Sequence, residues 1–417
     1  MTAALPDRVE VAIVGAGQAG LAASWHLVQR SVDHVVLERA TAFHDWEDRR
    51  WDAFTLVTPN FQCRLPGFVY DGDDPQGFMT RAEVRAWLER YRASFGPPVR
   101  EGVEVVGLTR AEEGFLLRTS AGELRAAQVV IATGGYHRPV VPPLGLRLPE
   151  GIAQVHSADY RNAASLPEGA VLVVGSGQSG AQIAEDLHLA GRRVHLALGR
   201  APRSARRYRG RDCIAWLEEM GVYDVTVQQH AAGLAKREST NHYMTGRAGG
   251  HDIDLRAFAL EGMRLYGRLT EVHDGVLGFA PTLAQYLDHA DSVMESIKND
   301  IDAHIDRAGI DAPTEARYSP VWVPEEEPAA LDLVAEGIGA VVWATGFRPD
   351  YRWVEVGVFD GTGHPTHRAG ETDVPGLFFL GLPWLSTWGS GRFAGVARDA
   401  AHVAERLAAR AAAPVPA

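Results

Sequence analysis

Two glycine-rich stretches carry residue types and spacings that bind phosphate. The first is Val9-Glu-Val-Ala-Ile-Val-Gly-Ala-Gly-Gln-Ala-Gly20, and the second is Ala170-Val-Leu-Val-Val-Gly-Ser-Gly-Gln-Ser-Gly180. Each reads as a short apolar strand, a glycine turn and the start of a helix. Gly15 and Gly175 permit the tight turn. Gly17 and Gly177 let backbone approach a pyrophosphate, and Gly20 and Gly180 let the helix pack close to the strand. Gln18 and Ala19 complete the first turn, and Gln178 and Ser179 the second. The helix N-terminus then offers free N–H groups and a partial positive charge to phosphate. A single such turn also serves as plain structure. Two in one chain predict two dinucleotides bound together, and the usual reason for that is electron transfer between them.

Further residues sort the two nucleotides. Val35-Val-Leu-Glu38 reads as the strand after the first helix. Glu38 falls at about the 20-residue spacing of a carboxylate that holds a ribose hydroxyl, and Arg39 follows it. An acid here favours an unphosphorylated ribose, as in FAD or NAD. In the second unit, Arg193-Val-His-Leu-Ala-Leu198 leads into Gly199-Arg200. An arginine at that place suits a 2′-phosphate, so NADPH is expected over NADH. Arg203, Arg206 and Arg207 follow closely, and the alternative for the run is a solvated basic loop.

The elements that must position these groups are legible in part. His44 to Phe68 carries Trp46, Trp51, Phe54, Phe61 and Phe68 around Thr58-Pro-Asn60. It reads either as a loop packed by aromatics or as a cover for an isoalloxazine ring, with Trp46 at the cofactor. Met79 to Tyr91 reads as an amphipathic helix with Val84, Trp87, Leu88 and Tyr91 on one face. Val103 to Thr119 suggests a meander. Gln128-Val-Val-Ile-Ala-Thr-Gly134 is a buried strand ending before a proline-rich hinge. Ile338-Gly-Ala-Val-Val-Trp-Ala-Thr-Gly346 repeats that pattern, so Thr133-Gly134 and Thr345-Gly346 would mark crossings between two domains. Leu377-Phe-Phe-Leu-Gly381 is a further strand. It leads past Trp384 and Trp388 to a helix ending near Arg410, whose N-terminus could face a flavin's pyrimidine edge. Between the units, 212–220, 254–263 and 281–308 look helical, and this stretch is a candidate substrate lid.

Bulk properties narrow the classes. The chain has 417 residues and a formal charge of −12, which disfavours nucleic acid as a partner. Its two cysteines, Cys63 and Cys213, form no CxxC pair, so neither a metal site nor a dithiol centre is expected. No apolar run suits a membrane span, no signal region opens the sequence, and a cytoplasmic location is expected. The Ala/Pro tail after Leu407 is expected to fray.

Together, the two turns, Ala132-Thr-Gly134 and Ala344-Thr-Gly-Phe-Arg-Pro-Asp350 resemble the class B flavin-dependent monooxygenases. That group includes the flavin-containing monooxygenases and the plant YUCCA-type enzymes. The resemblance covers nearly the whole chain outside 211–320. It implies an α/β fold with two Rossmann-like dinucleotide-binding domains. The FAD-binding domain would be 1–160 with 325–417. The NADPH-binding domain would be 161–324, with a mainly helical insertion at about 211–320. The family's linker fingerprint FxGxxxHxxx followed by Tyr-Lys/Arg or Trp-Pro is matched at His156 and Tyr160-Arg161, while Glu150 and Ile152 stand at its Phe and Gly places, with the nearest glycine at Gly151. The resemblance also places Asn60 near the flavin edge as a catalytic amide donor. In this family NADPH reduces FAD, a C4a-hydroperoxide forms with oxygen, and a small nucleophilic substrate is oxygenated at nitrogen or sulfur. The partners implied are that small molecule and molecular oxygen, with a homodimer as a candidate assembly. A non-oxygenating flavin reductase and a flavin redox sensor with a protein partner share the same nucleotide contacts.

Overall fold

The computed structural model describes residues 5–412. A seven-stranded sheet holds Arg8–Val14 at its centre, parallel to His34–Glu38 on one side and to Gly122–Ile131 on the other. Val99–Glu101 extends one edge, and Leu377–Phe379 pairs in parallel with Gly122–Ile131. Val105–Ala111, Gly114–Thr119 and Gly122–Ile131 form the expected antiparallel meander. The central strands are apolar and buried at 11–14, 35–37 and 129–131, where they share one hydrophobic core with the helices packed against them. Those helices are α1 (Gln18–Gln29), α3 (Arg81–Phe95) and α8 (Phe393–Ala411). A short α2 (His44–Asp48) lies in the aromatic loop. Helix α3 opens on a capping box between Thr80 and Glu83 and closes on left-handed Gly96, which satisfies backbone groups at both ends. Its buried face is Val84, Trp87, Leu88 and Tyr91, as the periodicity predicts.

A second, five-stranded sheet is all parallel. Its order is Ala153–His156, Ile338–Trp343, Ala170–Val174, Val194–Ala197 and Arg264–Tyr266. This moves the expected boundaries. The strands at 153–156 and 338–343 were assigned with the first unit, yet both belong to the second sheet. Ile338–Trp343 is buried at every residue but Gly339 because it is central there. The crossings are therefore tighter, at Arg138–Pro139 and Phe347–Arg348, which pair with each other antiparallel.

Helix α4 (Gln178–Leu189) follows the second glycine turn. The insertion contains α5 (Cys213–Glu219), α6 (Leu255–Leu260) and the long α7 (Leu283–Ala308). It is less helical than expected. It also supplies the edge strand Arg264–Tyr266, and its hairpin, Leu269–His273 with Val276–Phe279, pairs with Ala330–Asp332. The α7 stripe of Leu283, Leu287, Ala290 and Met294 is buried, so core packing explains it. Helix α8 runs past Leu407 to Ala411, against the expected fraying. Residues 413–417 of the tail lie outside the described residues. No helix among the described residues is long and apolar enough to cross a membrane.

Candidate functional site

Both glycine turns have the local geometry that their spacing predicts. Gly15 has φ +106°, and a Cβ there would lie 2.7 Å from the Ala132 carbonyl oxygen. Gly175 has φ +103°, and its Cβ would lie 2.5 Å from the Ala344 oxygen. Side chains rarely adopt such backbone. The third glycines are excluded from substitution by contact instead: a Cβ on Gly20 would sit 1.9 Å from Gly15 O, and one on Gly180 1.8 Å from Gly175 O. The middle glycines face space. Nothing approaches a Cβ on Gly17 within 4 Å, and only Thr240 Cγ2, at 3.4 Å, approaches one on Gly177. Helices α1 and α4 start at Gly17 and Gly177 with no side-chain cap. Their first N–H groups are available to a phosphate. The geometry also explains the repeated Ala-Thr-Gly: in each unit its alanine carbonyl forms the floor of the glycine turn.

Around the first turn the expected residues converge. Glu38 is buried at 6% exposure; it accepts from Ala16 N at 2.9 Å and from Ala40 N at 3.0 Å. Its carboxylate therefore lies against the turn, where a ribose would come, while Arg39 is exposed outside it. Gln18 donates to Gly391 O at 3.3 Å and accepts from Trp46 Nε1 at 3.3 Å. Trp46 stacks on Phe393, the first residue of α8, with ring centroids 5.6 Å apart. A Cβ on Gly381 would lie 2.6 Å from Ala19 Cβ. The turn, the aromatic loop and the α8 N-terminus thus meet at the C-terminal end of the central strand Arg8–Val14. Thr133 Oγ1 is buried there without a hydrogen-bond partner, and Gly134 O accepts from Tyr351 Oη at 2.8 Å. An orphan hydroxyl beside an open glycine cradle fits a bound dinucleotide such as FAD.

The second turn is framed by its insertion. Gln178 donates to Met244 O at 2.6 Å. Ser176 Oγ bonds both Gly199 N and Gly199 O at 3.1 Å, which fixes the strand end that presents Arg200. Ser179 is part-exposed beside them. The arginine run divides clearly. Arg203 is buried and paired with Asp291 at 2.6 Å, and Arg206 is buried and paired with Asp212 at 2.6 Å. Arg207 donates to Gly249 O at 3.1 Å. Arg200 alone of the four is exposed with no hydrogen bond or ion pair among the described residues. Thr345 Oγ1 donates to Val140 O, and Gly346 O accepts from Val140 N at 3.0 Å. Those groups hold the crossing.

Asn60 departs from expectation. It is buried at 4% exposure; its Nδ2 donates to Asp74 O at 2.9 Å and its Oδ1 accepts from Met79 N at 3.0 Å. With both amide ends bonded to backbone, the side chain staples the 60–79 loop, and an amide-donor role at the flavin edge gains no support from this geometry.

Two histidines do more than the sequence indicated. His156, the fingerprint residue, accepts from Ala158 N at 3.1 Å and donates to Gly346 O at 3.0 Å. His137 does the same at the other crossing, accepting from Asp350 N at 2.8 Å and donating to Thr133 O at 3.1 Å. Both therefore act as neutral rings, and burial lowers the pKa of each below the usual histidine value. Tyr160 Oη donates to Asp186 on α4 at 2.7 Å, and Arg161 reaches the Asp48 carbonyl of the aromatic loop. Nothing in the sequence around His137 distinguished it, because its partner Asp350 lies far along the chain.

With this geometry established, likeness to known proteins assigns the family. Residues 12–221 match the model of the pyridine nucleotide-disulphide oxidoreductase family. An uncharacterised CzcO-like oxidoreductase of Geobacillus kaustophilus is 30% identical over 397 residues, covering 95% of this chain and 97% of the relative. Indole-3-pyruvate monooxygenase YUCCA1 of Oryza sativa subsp. japonica is 34% identical over 180 residues, 42% of this chain and 44% of that protein. The fold matches the flavin-containing monooxygenase from Stenotrophomonas maltophilia with a TM-score of 0.66 at 21% identity, covering 98% of this chain and 100% of that one. The chain belongs to the pyridine nucleotide-disulphide oxidoreductase family, and like its flavin monooxygenase relatives it is an oxidoreductase that uses FAD and NADPH.

Proposed function

We propose that this chain is an NADPH-dependent monooxygenase that oxygenates a small nucleophilic substrate, at nitrogen or sulfur. The carrying observation is what the chain lacks for the alternative chemistry of its family. Its only cysteines are Cys63 and Cys213. Both are free and buried, and burial pushes each thiol up to about 12. A thiol so shielded is not a thiolate nucleophile. Electrons from NADPH therefore have no dithiol on this chain to enter, and molecular oxygen is the acceptor that the likeness to flavin monooxygenases supports.

Bound FAD supplies the hydride acceptor and the oxygen chemistry. The chain's own groups bind and orient. Gly15, Gly17 and Gly20 with the α1 N-terminus would hold the FAD pyrophosphate, and Glu38 its ribose. The α8 N-terminus would place its positive end against the pyrimidine edge. Trp46 and Phe393 would exclude water. Gly175, Gly177 and Gly180 would hold the NADPH pyrophosphate, with Arg200 on the 2′-phosphate. NADPH oxidation measured with and without simple amines and sulfides tests this. Substrate-dependent turnover with an oxygen atom in the product is expected. Turnover that yields only hydrogen peroxide with every nucleophile would favour a reductase.

A further inference from the structure

We propose that the segment 245–251 of the insertion is a clasp that sets the separation of the two nucleotide units, with Arg247 and His251 as positioning residues. This rests on reading the two glycine turns as FAD and NADPH sites. The segment folds back on itself through a bridge between Thr245 and His251. On one side it grips α4, the helix that the second glycine turn opens. Arg247 Nη1 donates to Asp186 Oδ1 at 2.9 Å, and His251 Nε2 meets Glu185 Oε1 at 2.6 Å. Asp186 and Glu185 are 7% and 1% exposed. The other oxygen of Asp186 takes the Tyr160 hydroxyl at 2.7 Å, so the interdomain linker is fastened at the same carboxylate.

On the other side the segment presses on the first unit, at Leu56 of the aromatic loop and at Phe78 shortly before α3. A Cβ on Gly246 would lie 2.0 Å from Leu56 O and 2.7 Å from Phe78 Cβ. One on Gly250 would lie 2.5 Å from the Phe78 ring. Phe78 precedes Met79, whose N–H is held by Asn60. Between these contacts Ala248 is left-handed, with φ 50°, a conformation that is unfavourable for a residue bearing a Cβ and persists where surroundings over-determine it. The segment is thus bonded to buried charge on one unit and fitted by shape to the other. Removing one partner of a buried ion pair strands the other, so loss of the Arg247 side chain leaves the Asp186 carboxylate with the Tyr160 hydroxyl alone. Hydride transfer needs reacting atoms roughly 3–3.5 Å apart, and a misplacement of about 1 Å lowers the rate on the order of 100-fold. The clasp therefore governs flavin reduction more than nucleotide affinity.

The test uses the full chain loaded with FAD, with NADP+ as the probe. Nicotinamide stacked closely on flavin gives a long-wavelength charge-transfer absorbance, which reports ring separation without turnover. Arg247→Ala should weaken that band by half or more and slow anaerobic flavin reduction by NADPH about 10- to 100-fold, with the NADP+ Kd changed less than about threefold. Arg247→Lys should restore part of both. Gly246→Ala, which acts from the opposite face and leaves the ion pairs intact, should give the same signature. An unchanged band and reduction rate in Arg247→Ala and Gly246→Ala overturn the clasp, as does a loss confined to NADP+ affinity. If the native chain shows neither band nor reduction by NADPH, the two-nucleotide reading fails, and the clasp falls with it.

Discussion

Replacing Arg200 by glutamate separates the 2′-phosphate assignment from the rest of the basic run. Arg200 is exposed at the end of the strand Val194–Ala197, held in place by the Ser176–Gly199 bonds. A 2′-phosphate beside it carries nearly two negative charges, and Arg200→Glu changes the local charge by two. Each unit pair at about 4 Å is worth about 1 kcal/mol in bulk water, so the unscreened change is about 4 kcal/mol. Physiological salt, with a Debye length of about 8 Å, reduces it to about 2–3 kcal/mol. The KM for NADPH should therefore rise roughly 30- to 150-fold, while the KM for NADH changes by less than about threefold. Steady-state oxidation of both coenzymes by the same preparation is the assay. Equal effects on the two would refute the assignment. Arg203→Glu supplies the contrast. It would place a carboxylate against half-buried Asp291, so it should lower the melting temperature of the protein without discriminating between coenzymes.

Gly20→Ala should yield protein with little bound FAD, because its Cβ would meet Gly15 O at 1.9 Å; FAD content by absorbance at native levels would contradict the close-packing argument. Asn60→Ala removes two bonds to backbone and should cost about 1–3 kcal/mol of stability, measured by denaturant unfolding. Its flavin reoxidation rate should match the native chain, and a changed rate would return Asn60 to the catalytic list. His195 is buried beside Tyr266 Oη and is held down at about 4 by burial. Because its folded pKa lies below the unfolded value, its neutral form contributes stability that is complete above about pH 6.5 and is lost as pH falls toward 4. His195→Gln should reduce the slope of stability against pH in that window by up to about 1.4 kcal/mol per pH unit, and an unchanged slope would refute the assignment.

The nucleotide-binding elements were legible because their requirements are local. A glycine turn needs φ > 0 and the absence of a Cβ within six residues of chain, and both copies carry that pattern. Helix α3 was equally readable, since Thr80, Glu83 and a four-residue apolar face lie within one element. What failed to show depends on partners distant in sequence. Ile338–Trp343 reads as a buried strand from its own residues, but only pairing with Ala153–His156 and Ala170–Val174 assigns it to the second sheet. Arg203 and Arg206 look identical to Arg200 in the sequence. Asp291 and Asp212 remove them from phosphate binding. The same holds for Asn60, whose amide is taken by Asp74 and Met79, and for His137, which is defined by Asp350.

The most direct test of the central claim is rapid mixing. The FAD-loaded chain, reduced by NADPH without oxygen, is mixed with aerated buffer, and spectra are recorded through reoxidation. A transient absorbance distinct from both reduced and oxidised flavin, discharged faster when an amine or sulfide is present, is the predicted result. Direct return from reduced to oxidised flavin, with no transient and no effect of any nucleophile, would contradict the monooxygenase assignment.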